Sequence, residues 1–391
     1  MSHGNDDNAS SYGGCSMSHS ARIRQWFAPA PIGATSTGQE GFRHRIGPPD
    51  ATDRMRIAAR LKALHGDVQR TVLPGLDVDA ESDAIAGRLV NDATTAVRDL
   101  LNGTALGALP VHQLVALESV VQARGRPALR VKHQGLEGLD PHSGFWRTLL
   151  EDHEDAITRA VTATGAVSVT DNAGMLPGWV QGTAWLIRPD LVITNRHVLF
   201  PPSGVHLARR RFDTPTRAQF KNDISVTIDF AYDDANPRSL RHRVLDVPFV
   251  AEDRDPVDVA LIRVEPIPTS LLAPQPLGLA APSVDIGALK QLYVIGHPGR
   301  LAEVPDEVQA VFGILDERKR VSLGAQMPAN PFFPNDVVHD ASTIGGYSGG
   351  CVHAFFSTDV VALHYLGDPA GGNRAVSASA LRSHAVAAFL C

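Results

Sequence analysis

The run Gly345-Gly346-Tyr347-Ser348-Gly349-Gly350 constrains this chain more than any other feature. A serine among glycines sits on backbone that can turn tightly, and such a turn can aim amide hydrogens at a developing negative charge. The residues after the serine limit the folds that can present it. Cys351 to Phe356, then Ser357-Thr358-Asp359, then Val360-Val361-Ala362-Leu363-His364-Tyr365-Leu366 read as strand, turn and strand.

Two earlier motifs belong with it. Gly182-Thr183-Ala184-Trp185-Leu186-Ile187 and Leu191-Val192-Ile193-Thr194 flank an Arg188-Pro189-Asp190 turn, so His197 comes just after a second strand. Asp255-Pro256-Val257-Asp258 precedes the apolar run Val259-Ala260-Leu261-Ile262, which puts Asp258 at the mouth of a buried strand. Taken singly, each has a bland reading: a structural histidine, a capping aspartate, a plain glycine turn. Taken together they supply a hydroxyl, a base able to take its proton, and a carboxylate to orient that base.

In their order, His197 then Asp258 then Ser348, these motifs resemble the trypsin-like serine proteases of the chymotrypsin fold. The Thr-Asn-x-His and Gly-Gly-x-Ser-Gly patterns are those of the bacterial branch. The resemblance implies a mainly β chain, with a chymotrypsin-like double β-barrel over residues 156–391 preceded by a small α-helical region. It assigns Ser348 as nucleophile, His197 as general base and acid, Asp258 as the orienting group, and the amides of Gly346 and Ser348 as the oxyanion hole. The implied activity is a serine endopeptidase acting through an acyl-enzyme on a protein or peptide substrate, with no cofactor. An inactive fold used as a binding module is the alternative within the same architecture.

Substrate preference is read from the same resemblance. The position six before the nucleophile is Ser342 rather than an aspartate, so a preference for Arg or Lys is not indicated. Asp340-Ala341-Ser342-Thr343 and Ala362-Leu363-His364-Tyr365 are similar to glutamyl endopeptidases, which implies that Thr343 and His364 bind an acidic side chain. His364, Tyr365 and Leu366 are expected to pair with extended substrate as an added strand. Tyr347 stands where trypsins carry an aspartate that pairs with a newly cut N-terminus, so that zymogen switch is not expected. Cys351 is expected to be a small core residue.

Gly346-Tyr347-Ser348-Gly349-Gly350 also fits the nucleophile elbow of an α/β-hydrolase, which would make the protein a serine esterase with Asp368 and His384 as partners. That fold needs a helix directly after the serine and more chain beyond it than remains here. The high-temperature-requirement proteases share two of the motifs but usually carry a further peptide-binding domain, for which there is no room after Ser348.

Upstream, residues 1–50 are rich in Ser, Gly, Asn and Pro and read as a flexible tail. Residues 51–125 carry helical periodicity. One helix starts near Asp53, a second spans Ser82 to Asn102 with Ile85, Leu89, Ala93 and Val97 as its stripe, and a third opens at Pro110. This small bundle is read in two ways, as inert packing against the barrels or as an adaptor or regulatory module through which a partner protein controls the enzyme; the second follows from a resemblance to the effector-associated adaptors of bacterial signalling and defence. Residues 126–155 connect it to the protease, with a strand near Ala128 and a helix from Phe145 to Thr162.

Several classes are excluded on composition. A net charge of −6 offers no footprint for nucleic acid, and no apolar run is long enough to span a membrane. The cluster Arg209-Arg210-Arg211 is expected to be a solvated loop in the long stretch between His197 and Asp258. Three cysteines, Cys15, Cys351 and Cys391, give no disulfide framework. With a polar N-terminus that lacks a secretory core, they suggest a cytoplasmic protein. The 16 histidines show no metal-ligand spacing, so no metal is expected.

Overall fold

The structure is a computed structural model, with residues 78–102, 126–137, 144–174, 177–233, 240–267, 273–281, 291–299, 317–329, 331–343, 345–366 and 373–390 described, together with scattered positions in 49–58 and 104–117. The tail expected for residues 1–50 lies almost wholly outside them, as do Cys15, Asp368 and Cys391.

Helix α1 (Val78–Leu101) buries Ile85, Ala86, Leu89, Ala93, Ala96 and Val97, which recur at helical spacing. It begins four residues earlier than the sequence suggests. Helical residues on either side touch it: Arg54 lies against Gly87, and Gln113 donates to Asp99 at 3.5 Å. The single helix expected over Phe145–Thr162 is instead two, α2 (Gly144–Asp152) and α3 (Glu154–Ala163). His153 leaves helical geometry between them, and Glu154 and Asp155 fall in the first turn of α3, which favours a fresh start there.

The remaining chain is mainly β. The strands are β1 (Ala128–Lys132), β2 (Gly135–Glu137), β3 (Thr164–Asp171), β4 (Trp179–Arg188), β5 (Leu191–Thr194), β6 (Ala208–Arg210), β7 (Ala218–Phe220) and β8 (Ile224–Asp229). After them come β9 (Arg241–Val250), β10 (Ala260–Val264), β11 (Gln291–Gly296), β12 (Arg320–Ala325), β13 (Asp336–His339), β14 (Cys351–Ala354), β15 (Val360–Leu366) and β16 (Asn373–Ser377). In the first sheet the order β10-β5-β4-β3-β8-β9 closes because β10 also pairs with β9, giving a six-stranded barrel. The second runs β13-β16-β15-β14-β11-β12-β1-β2. Its free end returns on itself where Gln326 bridges His339 and Met327 donates to Val338, so a second barrel forms. All the named pairings are antiparallel, as a double barrel requires and a doubly wound hydrolase fold does not.

Near-continuous apolar runs such as Leu191–Thr194 and Val360–Leu363 are buried on both strand faces, alternate side chains filling the barrel and the others covered by packing outside it. Lys319 ties the two halves, its Nζ donating to Val161 O of α3 and Phe230 O beyond β8 at 2.8 and 2.7 Å. Cys351 is buried, with Sγ 3.2 Å from Thr164 Oγ1, and burial pushes its thiol up to about 12, which makes it inert packing. The Arg209-Arg210-Arg211 cluster is a correction to the solvated loop expected. Arg209 and Arg210 lie in β6, and the Arg210 guanidinium donates to Pro215 O, Ala251 O and Asp253 while covering the Phe200 ring.

His353 on β14 is stacked on Tyr293 at 5.1 Å, neither ring nitrogen has a hydrogen-bond partner among the described residues, and burial drags its pKa from 6.5 to about 3. The folded protein therefore binds fewer protons than the unfolded chain between those values, so stability held above 6.5 is lost as pH falls toward 3. We expect His353→Phe to recover on the order of 2 to 4 kcal/mol relative to wild type by about pH 4 in denaturant titrations, and little near pH 7. Equal acid sensitivity of the two proteins would contradict this account.

Candidate active site

Antiparallel pairing brings the first two candidate residues together. Ala260 of β10 lies opposite Thr194 of β5, so the chain leaving β5 and the chain entering β10 run side by side. After Thr194 the backbone enters the one-turn helix α4 (Arg196–Leu199); Asn195, at the position before it, caps no helix amide, and its side-chain amide instead donates to Asp258 O at 2.8 Å. This fixes His197 over Asp258. The His197 ring nitrogen Nδ1 is 2.5 Å from Asp258 Oδ2, and the His197 amide donates to Oδ1 at 3.1 Å.

Burial opposes the charge of Asp258, but the His197 bonds and the nearby Arg196 outweigh it and hold the carboxyl below its ordinary range. Arg196 is itself held by the carbonyls of Glu252 and Asp255, with Nε 4.0 Å from Asp258 Oδ1. An ionised Asp258 can only accept, so the proton between it and His197 sits on Nδ1. In the neutral ring, Nε2 of His197 is the nitrogen left to accept.

The glycine-rich loop is docked on β4. Thr183 donates its amide to Ser348 O at 2.8 Å and its hydroxyl to Gly346 O at 2.8 Å, and that hydroxyl accepts from the His297 amide at 2.9 Å. Gly182 permits the approach: a Cβ there would lie 2.8 Å from Val198 Cγ2 and 3.2 Å from Ser348 O, so β4 is wedged between the residue after His197 and the serine backbone. Gly346 and Gly349 have φ of 93° and 88°, and at Gly349 a side chain would meet Thr183 O. Tyr347 is buried, its ring against Gly296 and its hydroxyl 2.8 Å from Ser322 Oγ on β12, so the loop is anchored by an uncharged contact where trypsins use an aspartate.

Among the described residues the amides of Gly346 and Ser348 donate to no acceptor. With no acceptor among those residues, both can donate to a ligand oxygen. No hydrogen bond joins Ser348 Oγ to the His197 ring, a contact that in unliganded sites of this kind often tightens only with substrate.

The remaining predicted residues cluster beside this loop. Ser342 and Thr343 are buried; the Ser342 hydroxyl donates to Arg126 O at 2.9 Å, whereas Thr343 Oγ1 has no partner among the described residues. His364 exchanges backbone bonds with Gly349 and Gly350, and its Nδ1 is 3.2 Å from Nε2 of His339. Burial, then His339 and His197, hold His364 well below the ordinary histidine range, so it is neutral. Tyr365 donates to Asp336 at 2.7 Å, and Leu366 is partly exposed at the end of β15. His384 is not near Ser348 in any bonded sense: its Nε2 pairs with Asp255 at 2.8 Å, while Asp368 is outside the described residues. Sequence reasoning missed Thr183, His339 and Arg126. Thr183 lay in a motif already noted, but Arg126 meets its partner across 214 residues, a contact no local spacing could disclose.

Comparison with known proteins points the same way. The sequence profile of the trypsin-like peptidase domain matches residues 182–363, which contain His197, Asp258 and Ser348. A probable serine protease of Lysobacter enzymogenes is 27% identical over 294 residues, covering 68% of this chain and 74% of that protein. Among solved structures, a mutant of human heparin binding protein (CAP37) matches with a TM-score of 0.39 and 12% identity, over 57% of this chain and 90% of that one. The first two similarities support serine protease activity.

Thr183→Val keeps the shape of the side chain while removing the donor to Gly346 O and the acceptor for His297. We expect a loss of about 1 to 3 kcal/mol in stability, and a further fall in any Ser348-dependent reactivity measured at a temperature where the variant stays folded. Unchanged reactivity in that folded variant would show that the loop does not depend on Thr183.

Proposed function

We propose that this chain is a serine endopeptidase in which Ser348 is the nucleophile, His197 the general base and acid, and Asp258 the carboxylate that orients the ring. The observation that carries this reading is the 2.5 Å His197–Asp258 pair set against a glycine turn whose two amides have no acceptor among the described residues. In the proposed reaction Ser348 Oγ attacks the substrate carbonyl as His197 Nε2 takes its proton. The carbonyl oxygen becomes an oxyanion held by the amides of Gly346 and Ser348, each such donor contributing about 3 kcal/mol to lowering a barrier of this type.

Collapse expels the amine, which takes the proton from His197, and leaves an ester on Ser348. Water, deprotonated by His197, then attacks that ester and releases the acid. Asp258 stays ionised throughout and stabilises the imidazolium, consistent with its depressed pKa.

For substrate recognition the proposal is an extended peptide laid along the Tyr365–Leu366 end of β15, with an acidic side chain before the scissile bond. The unpartnered Thr343 hydroxyl supports the latter, since a carboxylate entering there would accept from it and from His364. Because His364 is neutral, it would contribute a hydrogen bond rather than a charge.

Intact-mass labelling with a fluorophosphonate tests the chemistry. We expect one adduct on wild type, none on Ser348→Ala, and labelling slowed about 10³-fold or more in His197→Ala. Comparable labelling of Ser348→Ala, or an unreactive wild type, would sink the proposal. Peptide p-nitroanilides cleaved fastest after large apolar residues would remove the acidic preference alone.

A further inference from the structure

Arg126 precedes both barrels and takes part in no step described above, yet it is buried against the segment that leads into the serine loop. Its Nε and Nη2 donate to Asp340 Oδ1 and Oδ2 at 2.7 Å each, with side-chain exposures of 5% and 1% for the two residues. Asp340 Oδ1 also accepts from the Ala325 amide at 2.7 Å. The carbonyl of the same arginine accepts the Ser342 hydroxyl at 2.9 Å. One residue therefore grips both ends of Asp340-Ala341-Ser342.

Strand pairing explains how it gets there. The outer edge of β12 is shared: β1 pairs with Arg320 to Ser322, and the end of β13 reaches the same edge at Gln326. Leu323 donates to Pro127 O at 2.9 Å, so Arg126 enters where one neighbour gives way to the other. From the remaining sides Asn373 donates to Ala341 O at 2.6 Å, and Gly324 lets β12 approach so closely that a Cβ there would lie 2.5 Å from Ala341 N. The segment so clamped leads directly into Thr343 and the Gly345–Gly350 turn.

A buried ion pair is weak evidence for stability, because desolvation consumes most of the attraction; what a two-pronged guanidinium–carboxylate contact supplies well is fixed geometry. Resting on the serine protease reading, we propose that Arg126 is a positioning residue for substrate binding. Seated on Asp340, it sets the Asp340–Ser342 segment so that Ser342 and Thr343 line the substrate pocket. The region before the barrels thus completes the active site. The cation that trypsins obtain from a newly cut N-terminus, paired with the residue that is Tyr347 here, has a counterpart in an internal arginine.

The test uses the full chain as wild type, Arg126→Lys and the double variant Arg126→Met/Asp340→Leu, which leaves no lone buried charge. Each is measured for thermal midpoint, for the rate of Ser348 labelling by a small fluorophosphonate, and for kcat and KM on tetrapeptide p-nitroanilides varied at the residue before the scissile bond. We expect the double variant to melt near wild type and to label within about threefold of it, while kcat/KM on the best substrate falls at least about tenfold, mainly through KM, and preference across the panel flattens. Arg126→Lys, which keeps the charge but not the fork, should raise KM by about threefold or more with labelling intact.

Wild-type kinetics in either folded variant, or labelling and turnover reduced by the same factor in both, would overturn the inference. A wild type that neither labels nor cleaves would overturn the protease reading and this inference with it. Wild-type cleavage alongside unaffected variants would remove this inference alone.

Discussion

Thr183 is the contact on which the arrangement around Ser348 depends. It is fully buried, and its amide, hydroxyl and carbonyl are all engaged: with Ser348 O, with Gly346 O and the His297 amide, and with the Thr194 hydroxyl at 2.7 Å. One residue of the first barrel thereby fixes the serine loop, the end of β11 and the end of β5, just before His197. Each of these bonds contributes only about 1 kcal/mol net, but a buried group left unmet costs more than that, so the network acts as a unit. The two barrels can then meet in one register, and the histidine and serine are carried to a common place.

Charge is distributed around that place in a consistent way. The two carboxylates nearest the loop and the histidine have cations or donors beside them: Asp258 has His197 and Arg196, and Asp340 has Arg126. The histidines that line the interior, His297 and His364, are held well below their ordinary range, first of all by burial. A neutral His364 near His197 matters to the proposed chemistry, since a second imidazolium there would oppose the positive charge that His197 would acquire on taking the serine proton.

Much of this was legible from residues alone, for a physical reason. Strand alternation, the Arg188-Pro189-Asp190 turn and the hairpin after Ser348 are local signals, and β4, β5, β10, β14 and β15 lie where those signals put them. Short-range signals also located His197, Asp258 and the glycine turn. What remained hidden was long-range or cooperative. The break at His153 reflects competition between continuing one helix and starting another with Glu154 and Asp155, and periodicity cannot resolve that. The role of Arg126 depends on β12 sharing its edge between two strands, a property of the assembled sheet and not of any segment. The Arg209-Arg210 strand escaped notice because charge was read as exposure, whereas Arg210 finds backbone carbonyls and an aromatic face.

The most direct test of the central claim is a crystal structure of the full chain after reaction with a fluorophosphonate. The account predicts phosphorus bonded to Ser348 Oγ, a phosphoryl oxygen within hydrogen-bond distance of both the Gly346 and Ser348 amides, His197 Nε2 bonded to the adduct or to Oγ, and the His197–Asp258 contact retained. An adduct on another residue, or a phosphoryl oxygen turned away from those amides with His197 parted from Asp258, would contradict it.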